Sequence, residues 1–176
     1  MAKFVSTPSG WMTSRQVEKV FSVSPCLSKD FSDWTDDWLH NGFWLFDDPA
    51  LIQKIASAKG IDLSKATWFF YEAFEEQFTP DLGWQPITAD SSFSVAVTRP
   101  EPLFLAGYDV VTYTYGNAAE CSPLSCNALA NEIEVNEFCL IPAFENAFEA
   151  VASGRFNHSE PGPYRIIAVH TWRIPD

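Results

Sequence analysis

The residues from Glu120 to Asn127 combine two cysteines with two serines, in the order Glu-Cys-Ser-Pro-Leu-Ser-Cys-Asn. Thiol and hydroxyl groups act as nucleophiles in proteins when a neighbouring base or positive charge activates them. The 11 residues between Glu120 and Glu132 carry no charge, which indicates a loop packed against the rest of the protein. Cys126 and Ser122 are therefore candidate catalytic residues.

A base for such a nucleophile must come from elsewhere in the chain, because the nearest arginines in sequence are Arg99 and Arg155. The candidates are His158 and His170, which would reach the loop only through the fold. The Cys121–Asn127 loop with one of these histidines defines one hypothesis, an enzyme of unknown reaction. The alternative is a structural loop whose serine and asparagine side chains satisfy buried backbone groups.

Glu72 and His170 form a second candidate pair. Aligning residues 68–74 with residues 166–172, two aromatic-rich segments, places these two polar residues at matching positions. If both face one side of a sheet, they can meet as a carboxylate and an imidazole, which suits acid–base chemistry. The alternative is that both point to solvent from the wet face of an antiparallel sheet.

A third candidate site is the acidic and aromatic segment from residue 30 to residue 48. Its aromatic residues have helical spacing over 30–38, which predicts an amphipathic helix with an acidic outer face. Charge would steer a basic protein partner and the tryptophans would anchor it. The alternative places the tryptophans in the core. The candidate binding residues are Asp33, Trp34, Asp36, Asp37 and Trp38.

The four cysteines, Cys26, Cys121, Cys126 and Cys139, are expected to be reduced thiols, since no export signal is visible. Their spacing lacks the Cys-x2-Cys pair of common zinc sites, so we predict no metal. The chain also lacks the glycine-rich motifs that bind nucleotide phosphates. We therefore predict no cofactor.

Composition narrows the class of protein further. The chain has 176 residues and a formal net charge of −12. Its hydrophobic fraction of 47%, with 15% aromatic residues, excludes a wholly disordered chain. Such a negative charge argues against nucleic acid or an anionic membrane as the main partner. The N-terminus has no apolar signal region, and the longest apolar run is far below the roughly 18 residues of a membrane span. We expect a soluble cytoplasmic protein.

Periodicity and turn residues predict the elements that must position these candidates. Besides the helix over 30–38, three helices are expected, over 14–21 (with a strand over 17–23 as the alternative), after Asp48-Pro49 up to Gly60, and from Pro142 to Gly154. Strands are expected over 43–46, 67–74, 92–98, 108–115, 138–141 and 164–172, and loops over 75–89 and 116–127.

The two halves of the chain resemble each other. Asn41 and Asn136 each begin an Asn-x-Phe-x-Leu pattern, which a proline-started helix follows. This order predicts an internal duplication of 24–74 and 122–172 within a single domain, 1–176. We predict an α+β fold with helices and a mixed or antiparallel sheet of about five to seven strands.

Three function classes follow from these observations. We expect a small acidic protein-binding or regulatory module, on the basis of its charge, its aromatic residues and the lack of a catalytic motif. The alternatives are the enzyme of the Cys121–Asn127 loop and a small-molecule sensor with a pocket between the two halves. The sequence leaves the oligomeric state open.

Overall fold

The computed structural model describes residues 17, 19–24, 48–64, 66–87, 97–113 and 119–172. Its elements in chain order are helix α1 (Pro49–Lys59), strands β1 (Trp68–Thr79), β2 (Gly83–Pro86) and β3 (Leu103–Thr112), helix α2 (Pro123–Cys126), a 3-10 turn (Leu129–Asn131), helix α3 (Phe144–Ala152) and strand β4 (Tyr164–Trp172). The helix predicted over 30–38 and the strand predicted over 43–46 lie outside the described residues.

The four strands of the described residues form one antiparallel sheet in the order β2-β1-β4-β3. The predicted α+β class and antiparallel pairing are therefore confirmed, but the described sheet has fewer strands than the five to seven expected. Strand β4 lies in the centre, where Trp172 is opposite Trp68 of β1 on one side and Leu103 of β3 on the other. The two aromatic segments that the sequence matched are thus direct neighbours.

Helix α3 covers one face of this sheet, which we call the helix face. Side chains alternate between the two faces of a strand, so Phe74, Tyr108 and Ile166 share the helix face. The ring of Phe144 on α3 lies 4.9 Å from that of Phe74 and 5.8 Å from that of Tyr108. This apolar contact holds α3 over the middle of the sheet. Helix α3 does not cover the end of the sheet at Trp172.

The segment 19–24 packs on the opposite face. The ring of Phe21 stacks on that of Phe138 at 4.3 Å and meets that of Phe69 edge-on at 4.7 Å. The N–H groups of Lys19 and Phe21 donate to the carbonyls of Glu137 and Phe138. The predicted helix over 14–21 is therefore wrong for its described residues. Their backbone hydrogen bonds run to a distant segment, but these residues are not in a strand either, so the alternative over 17–23 is not shown.

Three further predictions need correction. The segment 75–89 is not all loop, because β1 continues to Thr79 and a tight turn leads into β2. Strand β1 continues past a bulge between Ala73 and Gln77, although this part of it contains many polar residues. Its Phe78 side chain is buried. The strand predicted over 138–141 is reduced to one bridge, between Ile141 and Tyr108. Within 92–98, the described residues 97 and 98 are not in a strand.

The helix boundaries at α1 are as predicted. Asp48 accepts a hydrogen bond from the Ala50 N–H at 2.8 Å, and Gly60 ends the helix with a left-handed φ of 66°. The corresponding helix α3 has no side-chain cap at Ala143. Because the strand predicted at 138–141 is also missing, the duplication of 24–74 and 122–172 is not shown.

Candidate functional site

Glu72 and His170 lie side by side on the helix face. Antiparallel pairing puts His170 opposite Phe70 and puts Glu72 opposite Ala168, which makes the glutamate and the histidine diagonal neighbours. The Nε2 atom of His170 is 3.4 Å from Oε2 of Glu72. The other carboxylate oxygen, Oε1, accepts a hydrogen bond of 2.7 Å from Arg99. The three side chains form a row, Arg99–Glu72–His170.

The row runs from solvent into the protein. The side chain of Arg99 is 54% exposed, that of Glu72 is 36% exposed and that of His170 only 8%. Aromatic rings surround its inner end: Phe70 lies 6.3 Å from the imidazole, and Trp68 and Trp172 meet edge-on at 5.9 Å. The imidazole therefore occupies an apolar environment with a charged pair at its rim.

Two polar atoms at this inner end are buried without a hydrogen-bond partner among the described residues, Nδ1 of His170 and Nε1 of Trp172. Buried polar groups are paired in most native structures, so each unpaired atom asks for an explanation. The carboxylate beside Nε2 favours the imidazole tautomer that carries its hydrogen there, which leaves Nδ1 as an acceptor. The indole Nε1 can only donate. The arrangement offers one acceptor and one donor.

The serine of the predicted nucleophile loop is buried. Ser122 is 1% exposed, precedes the short helix α2 and donates a hydrogen bond of 2.6 Å to Oδ1 of Asp109. Leu124, the next apolar residue, is fully buried, in agreement with the expected packing of this loop. This environment favours the structural alternative for Ser122, because no substrate reaches its hydroxyl.

The other members of the enzyme hypothesis lie apart. Cys126 ends α2 with its sulfur 3.9 Å from the Ser125 hydroxyl, while His158 is exposed in the turns after α3. In the part of the chain that the structure describes, no hydrogen bond or ion pair joins Cys126 to either histidine. Nor does any group of three His, Cys, Asp or Glu side chains lie close enough there to hold a metal ion.

Sequence reasoning missed the most buried acidic group of the described residues. Asp109 is fully buried on β3 and accepts hydrogen bonds from Ser22 at 2.5 Å and from Ser122 at 2.6 Å. The backbone N–H groups of Val23 and Val110 also bond to it. Burial raises the pKa of Asp109 to about 7, although these hydrogen bonds act in the opposite direction.

This cluster joins three distant parts of the chain: the segment 19–24, strand β3 and the loop before α2. A single charged residue within the apolar run from Tyr108 to Tyr113 was the available signal, since such a residue must find partners if the strand is central. Ser24 adds a second link, because its hydroxyl donates to the carbonyl of Glu120 at 2.6 Å. The buried polar contacts thus hold the segment against the sheet.

The burial of the thiols predicts their order of reaction. Cys139 is 1% exposed, and burial together with the nearby Asp109 raises the pKa of its thiol, whereas Cys126 is partly exposed. Because the thiolate is the reactive form, native Cys126 should be alkylated at least about tenfold faster than Cys139. Timed iodoacetamide labelling followed by peptide mass mapping measures both rates. Equal rates in the native state would contradict this order, and equal rates in denaturant are the control.

The candidate binding residues Asp33, Trp34, Asp36, Asp37 and Trp38 lie outside the described residues, so their role stays a prediction. No family model, no curated protein and no solved structure matches the chain. Within the described ranges, no helix combines the length and the apolar character that crossing a membrane requires.

Proposed function

We propose that the protein is a binding module that receives an extended, basic segment of a partner protein along the free end of strand β3. The observation that carries this proposal is a pair of exposed apolar side chains on an edge strand. Phe104 is 57% exposed and Leu105 is 50% exposed. We call Leu103–Leu105 the edge patch.

Within the described ranges, the edge patch is the part of β3 whose outer side pairs with no other segment. Farther along the strand, the chain covers its own edge: Tyr108 bridges Ile141, and Thr112 exchanges backbone hydrogen bonds with the segment at residues 120 and 121. Among the described residues, the contacts on this outer side begin at Ala106, whose carbonyl accepts from Asn136. Exposed sheet edges are the surfaces to which extended peptides add as a further strand.

Side chains on both faces would contact the added strand. Phe104 is opposite Thr171 and Leu105 is opposite His170, so the two apolar side chains point to opposite faces of the sheet. A partner strand would cover one on each face while its backbone pairs with β3. This arrangement supports recognition of alternating side chains, which is typical of strand addition.

Charge complementarity supports a basic partner. The chain carries a net charge of −12, and the exposed Glu101 lies directly before the edge patch. Long-range attraction by such a charge raises the association rate of a basic partner and discriminates against acidic ones. The predicted acidic segment at residues 30–48 would add to the same field.

Phe104→Ala should weaken binding of a synthetic peptide of alternating lysine and valine by about 2 kcal/mol, or roughly 30-fold in Kd, because the ring is the largest exposed anchor of the patch. Its unfolding free energy should change little, since the ring is already mostly in water. Titration calorimetry at about 0.05 and 0.3 M salt measures the affinity and its screening.

Leu82→Ala is the matched control, because Leu82 is 70% exposed in the turn between β1 and β2, away from the edge patch. It should leave the affinity unchanged. A peptide of alternating glutamate and valine should fail to bind. The proposal is wrong if Phe104→Ala and Leu82→Ala have the same effect, since binding would then be general attraction to an acidic surface.

A further inference from the structure

We propose that the inner end of the Arg99–Glu72–His170 row, together with Trp172, is a binding site for a small neutral molecule that carries an amide or lactam group. This site neighbours the edge patch, since Leu105 is opposite His170 and Leu103 is opposite Trp172, but it uses ring nitrogens, whereas the proposed partner binding uses the backbone edge of β3. The observation that carries it is a pair of buried ring nitrogens, Nδ1 of His170 and Nε1 of Trp172, that have no hydrogen-bond partner in the part of the chain that the structure describes.

The two side chains that carry these nitrogens lie on one face of the sheet. His170 and Trp172 are two residues apart on β4, so their side chains share the helix face and their Cα atoms lie about 7 Å apart. His170 as a whole residue is 6% exposed, so its nitrogen without a hydrogen bond lowers the stability of the folded protein. A ligand that bonds to both atoms would remove this cost.

The chemistry of the two atoms selects the ligand. Glu72 beside Nε2 favours the tautomer in which Nδ1 of His170 accepts a hydrogen bond, whereas Nε1 of Trp172 donates one. The complementary group has an N–H donor next to a carbonyl acceptor, which is the edge of an amide or lactam. A carboxylate or phosphate would offer acceptors only and would leave Nδ1 without a donor.

The surroundings agree with a neutral, flat ligand. The rings of Phe70, Trp68 and Trp172 lie near the imidazole on the helix face, and a planar group gains contact area against such rings. Arg99 is the cation at the rim, and its guanidinium is bonded to Glu72. Since these two charges compensate each other, the site presents no net charge that a charged ligand would need.

The test is a titration of the 15N-labelled protein with 2-pyrrolidone and with uracil, followed by NMR at the Trp172 indole N–H and the His170 ring nitrogens. We expect saturable shifts of these resonances with at least one of the two probes. N-methyl-2-pyrrolidone lacks the N–H donor and should bind at least about tenfold more weakly than 2-pyrrolidone. Trp172→Phe assigns the indole resonance, keeps an aromatic wall and should weaken binding by a similar factor.

Trp84→Phe is the matched control. Trp84 also has a buried indole nitrogen without a partner among the described residues. It lies on β2, however, where its ring contacts Phe78 at the far end of β1 and Phe148 of α3. The affinity of this variant for the probes should equal that of the unmodified chain. Unshifted resonances at about 50 mM of both probes would overturn the proposal. So would N-methyl-2-pyrrolidone that binds as tightly as 2-pyrrolidone, or a Trp172→Phe variant that binds 2-pyrrolidone as tightly as the unmodified chain does.

Discussion

The free energy of unfolding should fall by up to about 4 kcal/mol between about pH 4 and pH 7 because of the Asp109 carboxyl group. Replacing Asp109 with asparagine should abolish this fall. The side chain is fully buried, and burial raises its pKa from 3.8 to about 7 in the folded protein. The expected result is a difference between two pH profiles, because other groups that titrate are common to both proteins.

The sign follows from the protons that each state holds. Below about pH 4 both states are protonated, and the group contributes no change. Between pH 4 and pH 7 the folded protein keeps a proton that the unfolded chain has lost, so rising pH favours unfolding by about 1.4 kcal/mol per pH unit. Above pH 7 both states are ionised and the difference becomes constant. Asp109→Asn has no proton to lose, so it lacks this slope.

Urea denaturation at half-unit steps from pH 4.5 to pH 8 measures the effect. Asp62→Asn is the matched control, since Asp62 is an exposed aspartate whose pKa is lowered by its hydrogen bonds with Ser64 and so gives no fall in stability over this range. Ser122→Ala removes one hydrogen bond to Asp109, which raises its folded pKa further and moves the end of the slope upward. Parallel profiles for Asp109→Asn and the unmodified chain would contradict the buried-acid assignment.

Local signals in the sequence predicted the elements that local chemistry determines. Asp48, Pro49 and Gly60 define α1 because a cap, a fixed φ and a left-handed residue act on adjacent backbone groups. The apolar stripe that includes Phe144 and Val151 defines α3 in the same way. The aromatic runs identified β1 and β4, since such residues suit a half-buried strand.

Features that depend on distant contacts were missed. Pro80, Gly83 and Pro86 make 75–89 resemble a loop, but Gln77 is opposite Arg165 and accepts its hydrogen bonds, which keeps this stretch of β1 in the sheet. The segment 19–24 is held by Glu137 and Phe138, more than 100 residues away along the chain. No window of neighbouring residues contains that information.

The candidate site was predictable only in part. The sequence named Glu72 and His170 because they match in an alignment of two segments, but their contact arises from the antiparallel pairing of β1 with β4. Trp172 belongs to the site because it lies on β4 two residues from His170, and Arg99 because it forms an ion pair with Glu72, 27 residues earlier in the chain. The sequence has no local signal for either placement. Asp109 was visible as a single charge in an apolar strand, yet its serine partners lie in two other segments.

A bulge in β3 determines how this strand pairs with β4. Pairing shifts between Leu105, opposite His170, and Gly107, opposite Val169. The shift places Leu105 on the same face as His170. The half of β3 that follows the bulge is mostly buried. Gly107 has a φ of 143°, and a Cβ there would lie 2.7 Å from Cβ of Leu140.

Gly107→Ala should therefore lower the free energy of unfolding by about 3 kcal/mol or more, because it adds backbone strain to a clash with the segment before α3. The clash involves backbone as well, since the carbonyl of Ile141 would lie 3.0 Å from the added carbon. That segment cannot move freely, because Ile141 and Tyr108 exchange two backbone hydrogen bonds. Urea denaturation of the variant measures the loss from the midpoint and the slope.

Gly83→Ala separates strain from crowding. Gly83 also has a positive φ, of 70°, but a Cβ there meets nothing within 4 Å. Its cost should be about 1 kcal/mol, from the left-handed backbone alone. A Gly107→Ala variant no less stable than Gly83→Ala would mean that β3 and the 136–141 segment can separate at the bulge. The register of Leu105 against His170, on which both the edge patch and the ligand site depend, would then not be fixed by this close contact.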